Sequence, residues 1–232
     1  MIDNIELYQG DCLEVMLSLK NESVDIIVTD PPYPVTSKGN VGNTGGMLRS
    51  KKFMNGKVFN YNDIDCEKYA SEFYRVLKDG SHCYVMTNHK NLIHMLNTFT
   101  NCGFHFVKSL IWDKGNKIMG HYYMSAFEYI LFFRKGKGKR INYCGTSDIL
   151  SVPNKKLKAE NGKNLHDTEK PVELMKILID NSSQKNEIVL DPFMGIGSVG
   201  VAAKQLNRKF IGIELDNTYF EIAKKRIEEA KV

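Results

Sequence analysis

Val24, Ile26, Ile27 and Val28 form a near-continuous apolar run broken only by Asp25, a pattern too uniform for a strand with one wet face. A strand covered on both sides belongs to a parallel sheet with helices above and below it. The surrounding pattern agrees. Short β-rich runs at residues 5–8, 81–87, 104–112, 126–134, 187–190 and 210–213 alternate with helical spacing at residues 12–19, 64–77, 91–100, 170–180, 198–206 and 218–229. The two runs at 104–112 and 126–134 are adjacent in the chain and are expected to pair antiparallel. The expected fold is therefore α/β: a doubly wound, mostly parallel sheet with one antiparallel strand, in a single domain spanning residues 1–232. At the start of the last helix pattern, Thr218 and Glu221 have the spacing of a capping box, and Pro171 suits a first helical position.

The central run delivers Asp30, Pro31, Pro32 and Tyr33 to its carboxyl end, where open α/β sheets hold their ligands. The prolines fix φ and carry no N–H, so their carbonyls are available as acceptors. An acid, a carbonyl and an aromatic face suit one demanding task, group transfer to the exocyclic amine of a nucleobase. Such a nitrogen has its lone pair delocalised into the ring. It needs acceptors that hold its hydrogens and offset the positive charge that develops. Asp30 and the Pro31 carbonyl supply two, and Tyr33 offers a surface on which a flipped base stacks. A plain strand-end turn with a capping Asp and a packing Tyr uses the same residues.

A second ligand-type turn lies near the other end of the chain. Gly195, Gly197 and Gly200 spell G-x-G-x-x-G between a strand and a helix, with Glu214 about twenty residues beyond the first glycine. Glycines allow close approach of backbone to ligand, and an acid ending the next strand accepts both ribose hydroxyls of a nucleoside cofactor. A glycine turn that serves only helix packing is the alternative. Only residues 215–232 follow Glu214, too few for the further parallel strands of a nicotinamide-binding unit. The N-terminal half must complete the sheet, which puts both ligand-type turns on it.

Composition narrows the partners. The net charge is +5, and its excess is uneven. Lys38, Arg49, Lys51 and Lys52 lie in a long glycine-rich segment, and Lys137, Lys139, Arg140, Lys155, Lys156 and Lys158 lie in a second basic segment. Both fit phosphate contacts on nucleic acid, or simply a solvated surface. The five cysteines form no C-x-x-C pair, which speaks against a zinc site or disulfide framework and for a reducing cytoplasm. The longest apolar stretch, around residues 126–133, is interrupted by Glu128 and too short to span a membrane, and the N-terminus shows no leader pattern.

The order of these motifs resembles a known family. Asp30-Pro31-Pro32-Tyr33 early and Asp191-Pro192-Phe193-Met194-Gly195-Ile196-Gly197 late are similar to the amino-group DNA methyltransferases of the permuted (β) class. Weaker blocks match in the same order at Gly10-Asp11-Cys12-Leu13, residues 76–85, Ile111-Trp112-Asp113-Lys114, Phe127-Glu128-Tyr129-Ile130-Leu131 and His166-Asp167-Thr168-Glu169-Lys170-Pro171. The resemblance implies a Rossmann-like methyltransferase fold and S-adenosylmethionine as cofactor. It implies that Asp191, Phe193, Gly195, Gly197 and Ser198 line the cofactor pocket, that Glu214 holds the ribose and Asp11 the adenine, and that His166, Thr168 and Lys170 flank the methionyl end beside Asp30.

By the same resemblance Asp30, Pro31, Pro32 and Tyr33 hold the target amine, N6 of adenine, for direct in-line transfer to a flipped base. No metal is implied. Double-stranded DNA is the implied partner, with a homodimer mate and a cognate restriction endonuclease as further candidates and no membrane. Target-recognition insertions are expected at about 35–60 and 135–165. Asp167 stands where the family has proline, and Pro34 where it often has a small or polar residue. N4 of cytosine, RNA, a protein glutamine amide and a catalytically silent DNA-binding subunit remain as alternatives. Retention of Asp30, Tyr33, Gly195 and Glu214 speaks against the last.

Overall fold

The computed structural model describes residues 4–32, 64–118, 123–154 and 169–232. Eight strands form one sheet: β1 (Ile5–Gln9), β2 (Val24–Thr29), β3 (Leu77–Thr87), β4 (His105–Ile118), β5 (Ser125–Arg134), β6 (Ile149–Ser151), β7 (Ile188–Asp191) and β8 (Lys209–Glu214). Across the sheet the order is β1, β8, β7, β2, β3, β5, β4, β6. Every pairing is parallel except the two made by β5, which opposes β3 on one side and β4 on the other. β5 is thus the one antiparallel strand. Six helices cover the faces: α1 (Cys12–Ser18), α2 (Cys66–Val76), α3 (Leu92–Asn101), α4 (Val172–Ser182), α5 (Ser198–Gln205) and α6 (Asn217–Glu229).

The period of two along each strand divides the core into two layers. Ile26, Val28, Tyr84, Met86, Ile130, Phe132 and Phe210 face α4, α5 and α6. Their neighbours Ile27, Cys83, Val85, Leu131, Phe133 and Ile211 face α1, α2 and α3. The apolar run of β2 has no polar side because neither side meets water.

Asp25, the one polar residue in that run, fastens the foot of β2. One carboxylate oxygen accepts from Lys78 at 2.6 Å and the other from the backbone N–H of Ile188 at 2.9 Å, joining the starts of β2, β3 and β7. Lys78 to Gly80 bulge out of register at this point, with Gly80 at a φ of 75°.

Three local expectations need correction. Pro171 is the N-cap of α4, in extended conformation at ψ 135°, and not its first helical residue. The cap of α6 is Asp216, whose carboxylate accepts from the N–H groups of Thr218 and Tyr219. A carboxylate two residues earlier is the stronger acceptor, so the Thr218/Glu221 box is not needed. Strand β6 was not foreseen because three residues are too few to show alternation.

Because Lys78 keeps 43% of its side chain in water, its ion pair adds little stability. The Ile188 N–H is different, since a sheet amide without an acceptor bears the full desolvation cost. Asp25→Ala should therefore lower the unfolding free energy by about 2 kcal/mol. Asp25→Asn, which keeps an acceptor, should recover most of it. Urea unfolding midpoints measure both.

Candidate active site

The carboxyl ends of the central strands bring the sequence-expected acids into one row. Asp11 follows β1, Glu214 ends β8, Asp191 ends β7 and Asp30 follows β2, on four successive strands of the sheet. The register holds them level. Gln9 pairs with Glu214, the Gly10 N–H bonds the Glu214 carbonyl at 3.0 Å, and Asp191 pairs with Gly212.

Each acid is fixed differently. Asp11 caps α1, with Oδ1 accepting from the Leu13 N–H at 2.7 Å. Glu214 takes one backbone amide on each oxygen, Gly195 N–H on Oε2 and Asp216 N–H on Oε1, both at 2.8 Å. Each oxygen has two acceptor sites, so each keeps one for a ligand hydroxyl. Burial pushes the Glu214 carboxyl above its usual range despite these amides.

Asp191 is only 3% exposed and sits beneath the row. Its Oδ1 accepts from the Thr29 hydroxyl at 2.8 Å and the Phe193 N–H at 3.2 Å. Burial raises its pKa to about 7, and the negative charges of Asp30 and Glu214 add to the rise.

Asp30 pairs with the ammonium of Lys170, which enters just before α4. Its second oxygen, Oδ1, is buried and has no hydrogen-bond partner among the described residues. Burial raises the Asp30 carboxyl, Lys170 opposes the rise and Glu128 adds to it. Pro31 is buried and Pro32 half-buried beside it.

The glycine turn does two jobs. Gly195, at a φ of 52°, turns its amide onto Glu214. Gly197 and Gly200 serve packing, because a Cβ on Gly197 would meet the Ala223 Cβ at 3.0 Å and one on Gly200 would meet Ile227 at 2.4 Å and Phe210 at 2.7 Å. Those contacts let α5 lie close on α6 and β8, with Ser198 buried at the helix start. Phe193 sets its ring edge-on to buried Tyr69, with centroids 5.3 Å apart.

Sequence reasoning missed two pairs. Glu128 bonds Lys114 at 2.5 Å and lies 3.5 Å from the Lys170 ammonium, so Lys114, Glu128, Lys170 and Asp30 alternate in sign along a buried line. Arg226 on α6 bonds both the Ile196 carbonyl, at 2.5 Å, and Glu169, at 2.9 Å, tying the glycine turn to the residue before Lys170. Glu128 had left a signal: a carboxylate interrupting the longest apolar run needs a partner.

The basic residues divide. Lys137, Lys139 and Arg140 follow the end of β5, where Arg134 pairs with His82, the first residue of β3 to pair with β5, and with His105 at the start of β4. Five strand steps separate that level from Tyr129 opposite Thr87, about 17 Å. They therefore lie at the end of the sheet opposite Asp30, because an antiparallel strand carries its tail that way. Lys139 also faces Glu187 at 3.9 Å. Tyr33, Lys38, Arg49, Lys51, Lys52, Lys155, Lys156, Lys158, His166 and Thr168 lie outside the described residues.

No helix among the described residues is long and apolar enough to cross a membrane, and no group of acids, histidines and cysteines among them could hold a metal ion.

Comparison with known proteins extends these observations. Residues 24–225 match the DNA methylase family. The Type II methyltransferase M.HinfI of Haemophilus influenzae is 32% identical over 97% of this chain and 68% of its own. The Type II methyltransferase M2.MboI of Moraxella bovis is 26% identical over 97% of this chain and 88% of its own. The crystal structure of the M1.HpyAVI–SAM complex superposes with a TM-score of 0.70 and 26% identity, covering 96% of this chain and 99% of that one. The cytosine-N4-specific PvuII DNA methyltransferase shares the fold at a TM-score of 0.74 with 17% identity, over 99% of this chain and 88% of that one. A match running through both halves of the sheet carries the assignment: the chain belongs to the DNA methylase family, as an S-adenosylmethionine-dependent DNA methyltransferase of the permuted, amino-group class.

Proposed function

We propose that this enzyme methylates N6 of adenine at a specific site in double-stranded DNA, acting on a base flipped out of the helix. The observation that carries the reading is the Asp30 carboxylate. It stands at the end of the central strand with one oxygen anchored by Lys170 and the other buried without a hydrogen-bond partner among the described residues. An acceptor so placed holds an amine hydrogen while nitrogen rehybridises.

The residues beside it suit the cofactor. Glu214 has one acceptor site left on each oxygen for the ribose hydroxyls, and the row of carboxylates offers negative charge to a cation. When bound, S-adenosylmethionine supplies a methyl group on a positively charged sulfur. Asp30 and the Pro31 carbonyl orient the amine toward it, Tyr33 stacks on the base, and Phe193 keeps the cofactor side of the turn dry. Asp11 holds the cofactor's adenine, and Gly195, Gly197, Ser198, His166, Thr168 and Lys170 surround its remainder. Positioning of this kind supports an in-line transfer without a covalent enzyme intermediate.

Adenine rather than cytosine rests on the tip itself. Asp30-Pro31-Pro32-Tyr33 resembles the adenine enzymes of the class, and the larger purine offers more face to Tyr33. DNA approaches the Asp30 end of the sheet, where the β4–β5 ribbon exposes Lys117, Tyr123, Met124 and Phe127. Relatives named Type II methyltransferases support a cytoplasmic role in restriction–modification beside a cognate endonuclease, with a second copy of the chain as a further candidate partner.

Mass spectrometry of nucleosides from treated DNA decides the base. N6-methyladenine should dominate, and a dominant N4-methylcytosine peak would overturn adenine while leaving fold and cofactor intact. Asp30→Ala should slow turnover at least about a hundredfold, the size of one electrostatic group. Cofactor affinity should change far less in calorimetry, and a parallel collapse would make Asp30 chiefly a cofactor ligand.

Asp191 gives a pH dependence of known sign. Its folded pKa of about 7 lies above the ordinary 3.8, so between these values the folded protein holds more protons than the unfolded. Its contribution to the stability of the free protein therefore falls as pH rises through that window. A cationic cofactor favours the ionised carboxyl, so affinity should rise from about pH 6 to about pH 8. The expected gain between these pH values is about fivefold, matching a shift of about one unit on binding. Asp191→Asn should flatten both trends in melting and binding titrations.

A further inference from the structure

Two carboxylates and two ammonium groups alternate beside the reacting position. Lys114 bonds Glu128 Oε1 at 2.5 Å, and Glu128 Oε2 lies 3.5 Å from Lys170, which bonds Asp30 Oδ2. The two lysines are 7% and 8% exposed. Lys114 also lies over the Trp112 ring, 5.3 Å from its centroid, which fixes its direction. The backbone register sets the arrangement. Glu128 pairs with Trp112 across β4 and β5, two residues from Lys114 along β4. The Lys170 ammonium thus lies between two carboxylates, near enough to lean on either.

We propose that Glu128 and Lys114 are positioning residues for methyl transfer, which let the Lys170 ammonium shift its weight from Asp30 to Glu128 as Asp30 takes a proton from the methylated amine. The inference rests on the amine-methylating reading. In the step itself the amine lone pair forms the N–C bond and the S–C pair stays on sulfur. Nitrogen, now cationic, passes one proton to Asp30 Oδ1, and Asp30 later releases it to water. Once neutral, Asp30 no longer balances Lys170. Among the described residues Glu128 Oε2 is then the anion beside it, 3.5 Å away, so the ammonium keeps a buried counter-charge. Lys114 holds the other Glu128 oxygen and keeps Oε2 turned toward Lys170. Among the described residues the remaining charged group facing Asp30 is Asp191, from β7.

Removing either charge moves Asp30 in a set direction by Coulomb's law alone, as the upward push of Glu128 and the downward pull of Lys114 already show. Sharing predicts in addition that proton transfer to Asp30 slows in Glu128→Gln, seen as a larger solvent deuterium isotope effect on the rate, which the loss of a clamp on the β4–β5 ribbon does not produce. In Glu128→Gln, Lys170 is no longer drawn toward a second carboxylate and the repelling charge is gone, so Asp30 should hold its proton less tightly. In Lys114→Gln, Glu128 draws Lys170 toward itself, and Asp30 should hold its proton more tightly.

The test is a carbon-13 titration of aspartate carboxyls in the whole protein without cofactor or DNA, with the Asp30 signal assigned by its loss in Asp30→Asn. Glu128→Gln should move the Asp30 midpoint down by about one pH unit and Lys114→Gln should move it up by about one, the size of effect of a neighbouring charge. The acid limb of the methylation rate should move in the same two directions. The double variant should return near the wild-type midpoint yet keep the larger isotope effect, and that pairing carries the test should a single variant fail to fold. Shifts of the same sign, no shift, a displaced midpoint in the double variant, or an unchanged isotope effect would overturn the proposal. The titration needs no catalysis, so its outcome stands apart from whether adenine is the substrate.

Discussion

The direction of one strand governs what can meet at the reacting edge. β5 lies between β3 and β4 and runs against both. Its first residues therefore arrive where the parallel strands end, and its last residues leave where they begin. Glu128 comes to Lys170 and Asp30 for this reason. Lys137, Lys139 and Arg140 are carried to the far end of the sheet for the same reason. Neither outcome depends on what the side chains prefer. A charge-based search along the sequence sees nine cations between residues 134 and 163 as one group, whereas the strand direction carries those from Arg134 to Arg140 to the end of the sheet away from Asp30.

The row of acids is expensive to keep. Burial raises Glu214, Asp191 and Asp30 together, and Asp191 carries further upward pressure from the other two. Such strain accumulates where groups are arranged for a ligand and not for the free fold. The fold offsets it with fixed donors: amides of Gly195 and Asp216 on Glu214, Thr29 and Phe193 on Asp191, and Lys170 on Asp30. All of these come from backbone turns or from rigid elements, so the carboxylates hold their places without help from a bound cation. Arg226 extends this by binding the glycine turn and Glu169 at once, which fixes the distance between the Glu214 and Lys170 sides of the site.

Much of this was legible in the sequence because it is written in short-range patterns. The apolar run of β2, the strand–glycine turn–helix at Gly195, and the acid closing β8 each lie within a few residues. Their periods are set by local geometry, so the α/β class, the single reversed strand and the Asp30 and Glu214 strand ends followed, while Asp11 and Asp191 came from the family resemblance. What was not legible depends on register between distant segments. Glu128 meets Lys170 across forty-odd positions of chain only because β5 is reversed, and β6 is too short to carry a period of its own. The two later glycines answer a second demand that the motif does not show. Gly197 and Gly200 are also required by Ala223, Ile227 and Phe210 on the protein's own side.

The same physics explains why the chemistry belongs to a carboxylate and not to a thiol. Cys83 lies wholly within the core and its thiol is pushed well above the usual range by burial. Cys12 stands closest to the acid row, and burial together with the negative charge of Asp11 raises it to about 12. A thiol there stays protonated, so it cannot attack a base carbon to form a covalent intermediate. The amine of a nucleobase needs no such activation, because its own nitrogen is the nucleophile. It needs hydrogen-bond acceptors at a fixed place and negative charge nearby as its positive charge grows. Burial chiefly disqualifies Cys12 as a nucleophile, with the charges of Asp11 and Glu214 adding to it, and those same charges favour an amine whose positive charge grows.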